Sequence, residues 1–265
     1  MSAAAARGPR HAPRTVRRRG AGSTVVGVIG ELLITLGVLL GLFVVWQLWW
    51  TDVQAGREHA EILASLDWPE PPAVAPAQEP ESLQPHKGKP PIVAEPAEGT
   101  VFAKLYVPRF GDRYVAPIAE GVDKATILDA IGIGHYPGTA MPGELGNFAT
   151  AGHRTTYGKP YHLVAELKKG DPLVVRTKDT WYVYRVTESE IVYPWDVEVI
   201  SPVPGLEPGE PLPKLKERYM TLTACHPMYS AAQRFIVHAK FDYWAPVSDG
   251  VPPELVDAGV KVKGA

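Results

Sequence analysis

The stretch from Tyr219 to Phe241, YMTLTACHPMYSAAQRFIVHAKF, holds the side chains whose types and spacing most readily suggest chemistry. Cys225, the single cysteine of the chain, ends a short β-prone run, and nine positions later Arg234 opens a second one, Phe235 to Phe241. Two strands joined by a loop containing His226 and Pro227 would bring a thiol and a guanidinium to one end of a sheet. A thiol attacks as the thiolate, a form that a nearby cation favours. A guanidinium can stabilise an oxyanion developing on a substrate carbonyl. A lone cysteine has no internal disulfide partner, so it is an intermolecular disulfide, an inert buried thiol or a nucleophile. One cysteine among scattered histidines has no recognisable metal-ligand spacing. Nor does any acidic cluster suggest a calcium site. No cofactor or metal is expected, and calcium dependence is left open.

A cysteine nucleophile needs a partner that exchanges protons with the thiol and the leaving amine. Of the eight histidines, His11, His59 and His86 fall in segments outside any β-rich region. His226 would face away from Cys225 if the strand continued, and His238 alternates within a strand as a surface or edge residue. His135, His153 and His162 remain, all in loop or strand-end contexts, and composition and spacing do not choose among them.

The elements that must carry these residues follow from the rest of the chain. Residues 1–23 are a basic tail with six arginines and no acid among the first twenty positions, and lack apolar periodicity. The remainder carries 21 basic against 29 acidic residues, a formal charge of −8, which argues against nucleic-acid binding. Residues 24–50, TVVGVIGELLITLGVLLGLFVVWQLWW, are long and apolar enough for a transmembrane helix, with Trp46, Trp49 and Trp50 as an interfacial belt. The preceding arginines predict a cytoplasmic N-terminus and an extracellular remainder, as in an uncleaved signal-anchor. Residues 51–67 read as a juxtamembrane helix. Residues 68–99 are proline-rich, an extended spacer able to reach on the order of 100 Å. From residue 100 to 244 the texture is all-β. PLVVRT (172–177) and WYVYRV (181–186) form a hairpin around KDT, and the many short strands suggest a barrel or a sandwich. Residues 245–265 are expected to be a loose tail.

The segment GIGHYPGTAMPGELGNFATAGHRTTYG (132–158), with TLTACHP (221–227) and Arg234, resembles the sortases, the membrane-anchored cysteine transpeptidases of Gram-positive bacteria. The likeness covers about residues 99–243 and is strongest to the class E, housekeeping enzymes of actinobacteria. It implies a closed eight-stranded sortase-type β-barrel with short helices. It also implies that Cys225 is the nucleophile, His153 the proton carrier and Arg234 the oxyanion or substrate-backbone ligand. The implied substrates are surface proteins with a C-terminal LPXTG- or LAXTG-type sorting signal, cut between Thr and Gly through a thioacyl enzyme. The implied acceptor is an amine of a peptidoglycan precursor. Residues 193–214 correspond to the loop that walls the sorting-signal groove. Thr223, on the same strand face as Cys225, is a candidate groove residue, as are Tyr157 and His135, which lie near the motifs. Ala224 stands where the family usually has threonine and is expected to affect substrate fit.

Two other readings compete. A pilin-polymerising sortase usually carries an Asp-Pro-Trp/Phe lid and a second membrane span near its C-terminus. Here residues 67–69 read Asp-Trp-Pro, and no apolar run follows the β region. A catalytically inactive, membrane-tethered binding module would have no need of His153, Cys225 and Arg234 together.

Overall fold

A computed structural model describes residues 21–71, 83–260 and 262. The expected basic tail at 1–20, the middle of the proline-rich stretch at 72–82, Lys261 and the last three residues lie outside the described residues. The chain divides into two compact units, residues 1–47 and 48–265.

Helix α1 (Ala21–Ser65) carries the apolar stretch and, as a continuation of it, the helix expected after residue 50. Between Pro13 and Pro69 there is no proline to interrupt the backbone ladder. In the first unit its apolar side chains, such as Leu32, Leu39 and Phe43, stand exposed. By length and composition this is the one helix among the described residues apolar enough to cross a membrane.

The second unit is built on a closed barrel of eight strands in the order β1-β2-β3-β4-β7-β8-β6-β5. The strands are β1 (Val101–Tyr106), β2 (Ala116–Glu120), β3 (Ile133–His135), β4 (Gly146–Gly152), β5 (Pro172–Arg176), β6 (Thr180–Val192), β7 (Arg218–His226) and β8 (Gln233–Pro246). The β5–β6 hairpin forms with Arg176 opposite Trp181. Two neighbouring pairs are parallel, β2 with β3 and β4 with β7. Side-chain alternation divides the faces. On β7, Met220, Leu222 and Ala224 join Phe148, Tyr182, Tyr184 and Val237 in the barrel core. Thr221, Thr223 and Cys225 take the other face.

A second apolar cluster covers the outside of β5, β6 and β8, and it corrects the expectation of a loose C-terminal tail. The short helix α2 (Pro253–Asp257) buries Leu255 completely, with Val251, Val260 and Val262 beside it, against Trp181, Val183 and Tyr243. The Trp181 indole donates to the Gly250 carbonyl at 2.9 Å, and Glu254 accepts from Arg185 and from the Tyr243 hydroxyl.

The proline-rich stretch also departs from a free spacer over its second half. Leu83 is buried, and His86 pairs backbone to backbone with Trp244 while their rings stack at 4.6 Å. The Tyr182 hydroxyl donates to the Pro91 carbonyl at 2.7 Å. Proline leaves carbonyls without amide partners of their own, so such a segment suits a strap held by side-chain donors.

Candidate active site

Cys225 sits near the end of β7, half-buried, directly opposite Arg234 of β8. Arg234 in turn faces Val192 of β6, so thiol, guanidinium and the start of the β6–β7 loop form one row across three strands. On the other side, β4 runs parallel to β7 with Ala151 beside Thr223. Extending that register by two residues sets His153 at the level of Cys225.

The local sequence explains why the chain turns away there. Gly152 has the Tyr161 ring over it, and a Cβ would come within 2.8 Å of that ring. Tyr161 is fully buried, its hydroxyl bonded to Thr150 at 2.7 Å, and burial pushes its phenol well up. Its amide donates to the His153 carbonyl at 2.9 Å. Tyr157 adopts a left-handed backbone, φ 52°, unusual for a bulky residue, and lays its ring 5.3 Å from that of His153. His153 Nε2 lies 2.6 Å from Asp129 Oδ1.

Arg154 is buried under the strand end that carries Cys225. Its Nη1 donates to the Cys225 carbonyl at 3.3 Å and to His226 Nδ1 at 3.0 Å, and the guanidinium lies over the Phe235 ring at 5.4 Å. The Arg154 carbonyl accepts from His162 Nδ1 at 2.9 Å, which makes His162 a support for this loop. Arg234 is held by Nη1 on the carbonyls of Ala231 and Gln233 at 2.9 and 3.0 Å.

The structure brings His153, Cys225, Arg234, Thr223 and Tyr157 to one end of the barrel. It does not bring His135 or Ala224 there. His135 is fully buried, with Nδ1 2.6 Å from Glu120 Oε2 and Nε2 2.9 Å from Thr139 Oγ1, which leaves it no access to substrate. Ala224 points into the barrel core. Thr223 Oγ1 bonds to the Tyr136 hydroxyl at 3.1 Å. His238, expected at a surface or edge, is buried between Thr221 Oγ1 at 2.9 Å and Glu190 at 3.1 Å.

Sequence reasoning passed over Asp129, Arg154 and Tyr136. Asp129 meets His153 across 24 residues of chain, with no linear signal. Arg154 and Tyr136 each follow a motif histidine directly, and adjacency was the available clue.

Within the second unit, residues 52–59 of α1 pack beside the same loop. Lys159 donates to Asp52 at 2.6 Å, Ala55 is buried, and His59 covers Gly132 and Gly158.

With this geometry in hand, known proteins decide the lineage. The sortase domain family model matches residues 105–242. The chain belongs to the sortase family. It is similar to sortase SrtE1 of Streptomyces coelicolor, 38% identical over 92% of this chain and 66% of that protein, so it spans just under two thirds of that relative. Among solved structures it resembles the SrtA sortase of Actinomyces oris, with a TM-score of 0.60 and 39% identity over 67% of this chain and all of that one. It also resembles sortase E1 of Streptomyces coelicolor, solved with a tripeptide in its active site, with a TM-score of 0.53 and 39% identity over 59% of this chain and 97% of that one. The barrel is therefore that of a sortase, a family of cysteine transpeptidases, with relatives in class E.

Proposed function

We propose that this sortase is a membrane-anchored transpeptidase that cuts a LAXTG- or LPXTG-type sorting signal between Thr and Gly and transfers the protein to a peptidoglycan amine. The observation that carries this reading is the row formed by Cys225 and Arg234 on paired strands, with His153 at the same level on the parallel neighbour. The Cys225 thiol passes its proton to His153 as its sulfur adds to the Thr carbonyl carbon, and the oxyanion is met by Arg234, whose rigid fork of donors suits it. Collapse breaks the Thr–Gly bond, and His153 gives the leaving amine its proton. The thioester is then attacked by the acceptor amine. His153 takes that amine's proton, a new amide forms and the thiol is regenerated. Thr223 and Tyr157 line this end of the barrel and are proposed to contact the signal.

The anchor is assigned to residues 24–50, with the N-terminus inside and the barrel outside. Incubating the full chain in detergent with a LAXTG peptide and an amine acceptor, followed by mass spectrometry, tests the reaction. Wild type yields the amine-linked product, Cys225→Ala yields none, and product formation by the Cys225→Ala variant would remove Cys225 as the nucleophile. Protease protection of whole cells tests orientation, and a barrel shielded from external protease would reverse it.

A further inference from the structure

His153 has two ring nitrogens, and the structure commits one of them. Asp129 stands at the end of the helical turn Lys124–Leu128, its amide donating to the Lys124 carbonyl at 2.8 Å. That turn begins at Asp123, whose carboxylate accepts from the amides of Ala125 and Thr126, so the position of Asp129 is set from both ends. Its two carboxylate oxygens are divided. Oδ2 meets Lys124 Nζ at 2.7 Å, and Oδ1 meets His153 Nε2 at 2.6 Å. Both the Asp129 and His153 side chains are only 16% exposed, so water competes weakly for the contact. Lys124 is largely exposed and adds little energy, but it orients the carboxylate. Tyr157 closes the ring's face, and Lys124 Nζ lies 5.3 Å over Tyr157, which joins the four side chains into one cluster.

A carboxylate accepts hydrogen bonds and does not donate them, so the nitrogen that meets it carries the hydrogen. In a neutral imidazole the other nitrogen is then bare. We propose that Asp129 is a positioning residue for His153, fixing the ring so that Nε2 keeps its hydrogen and Nδ1 exchanges the proton of the reaction. This rests on the reading of His153 as the proton carrier. When Nδ1 takes a proton from the acceptor amine, the carboxylate faces the resulting positive ring. When Nδ1 has given its proton to the leaving amine, Nε2–H remains in place, and no tautomer exchange is needed between half-reactions.

The test uses the full chain in detergent micelles, labelled with 15N-histidine, with His153 assigned by its loss in His153→Gln. At a pH where the ring is neutral, wild type is expected to show a protonated Nε2 and a bare Nδ1, and Asp129→Ala to move both nitrogens toward averaged values. Cleavage of a LAXTG peptide is expected to lose about 10- to 100-fold in kcat in Asp129→Ala, part of what acid–base catalysis supplies, with KM within about twofold. Asp129→Glu is expected to recover part of that loss. Unchanged His153 nitrogen shifts in Asp129→Ala, or a kcat within about twofold of wild type, would overturn the proposal. The buried His135 and His238 resonances report whether the variant is folded. If they are lost, Asp129→Asn, of equal size, takes its place in the kinetic comparison under the same limits. A wild type that cleaves no such peptide would count against the proposed function, while the tautomer measurement would still decide the role of Asp129.

Discussion

Arg154 offers the sharpest test of how Cys225, the proposed nucleophile, is held. In Arg154→Met the unbranched side chain keeps much of the stem's packing and removes the guanidinium. Lost with it are the hydrogen bonds from Nη1 to the Cys225 carbonyl and to His226 Nδ1, and the approach to the Phe235 ring. Hydrogen bonds from a charged donor are worth about 1.5–3 kcal/mol and a shielded cation–π contact about 1–2 kcal/mol. The contact at 3.3 Å is long, so the lower values apply. Against this stands the cost of keeping a cation 7% exposed with its Nε buried and unpartnered among the described residues. Replacing such a group by an apolar one recovers desolvation energy of several kcal/mol gross. The two sides nearly cancel, and the net loss of stability is expected to be about 1–2 kcal/mol. Activity should not cancel, because the Cys225 backbone loses its brace, and a shift of about 1 Å at a reacting atom can cost on the order of a hundredfold. The assay pairs urea unfolding with LAXTG-peptide cleavage, both on the full chain in detergent. A small stability loss with a kcat at least about tenfold lower supports the bracing role. A kcat within about twofold of wild type would refute it and leave Arg154 as a packing residue.

Four further outcomes are expected. Gly158→Ala places a Cβ 2.7 Å from the His59 ring at φ +71°. It should cost about 1–3 kcal/mol and raise proteolysis of residues 51–62, and an unchanged digest would show that this helix segment does not rest on the loop. Leu255→Ala should destabilise the barrel by about 2–5 kcal/mol in thermal unfolding, whereas a change below about 0.5 kcal/mol would mean that the C-terminal segment is loose after all. Tyr161 and Tyr184 are fully buried, and burial raises both phenols, so the folded state keeps protons that the unfolded chain releases near pH 10. Stability should therefore hold up to about pH 9 and fall by about 3 kcal/mol per pH unit above about pH 10, and a urea midpoint unchanged between pH 9 and 11 would contradict this. Excess EDTA is expected to leave peptide cleavage within about twofold of its starting rate, and a loss restored by calcium would reveal a metal requirement.

How far the site could be read in advance depended on chain distance. Cys225 and Arg234 lie on consecutive strands, so their juxtaposition follows from hairpin geometry. His153 joins them only through the parallel β4–β7 pairing, a contact across about seventy residues that no local pattern encodes. The family motif singled out His153 where spacing had left three histidines open. His135 shows the limit of motif adjacency. It sits beside the turn residues of the motif, yet strand parity turns it inward to Glu120. Ala224 fails as a groove residue for the same reason, since Thr223 and Cys225 share the opposite face.

The sequence alone was sufficient for the apolar helix, the all-β texture, the β5–β6 hairpin and the pairing of the Cys225 and Arg234 strands, because each depends on residues close together in the chain. Tyr219–Phe241 already contained thiol, cation and both strands. Tertiary structure decided what depends on closing the barrel. It buried Leu255 and Val260 against the outer sheet and laid residues 83–99 along the barrel. It also set Asp129 against His153 and slid Arg154 beneath Cys225. These are choices about which apolar and charged surfaces meet once distant strands pair. A segment's own composition cannot register them, because the surface it will cover belongs to another part of the chain.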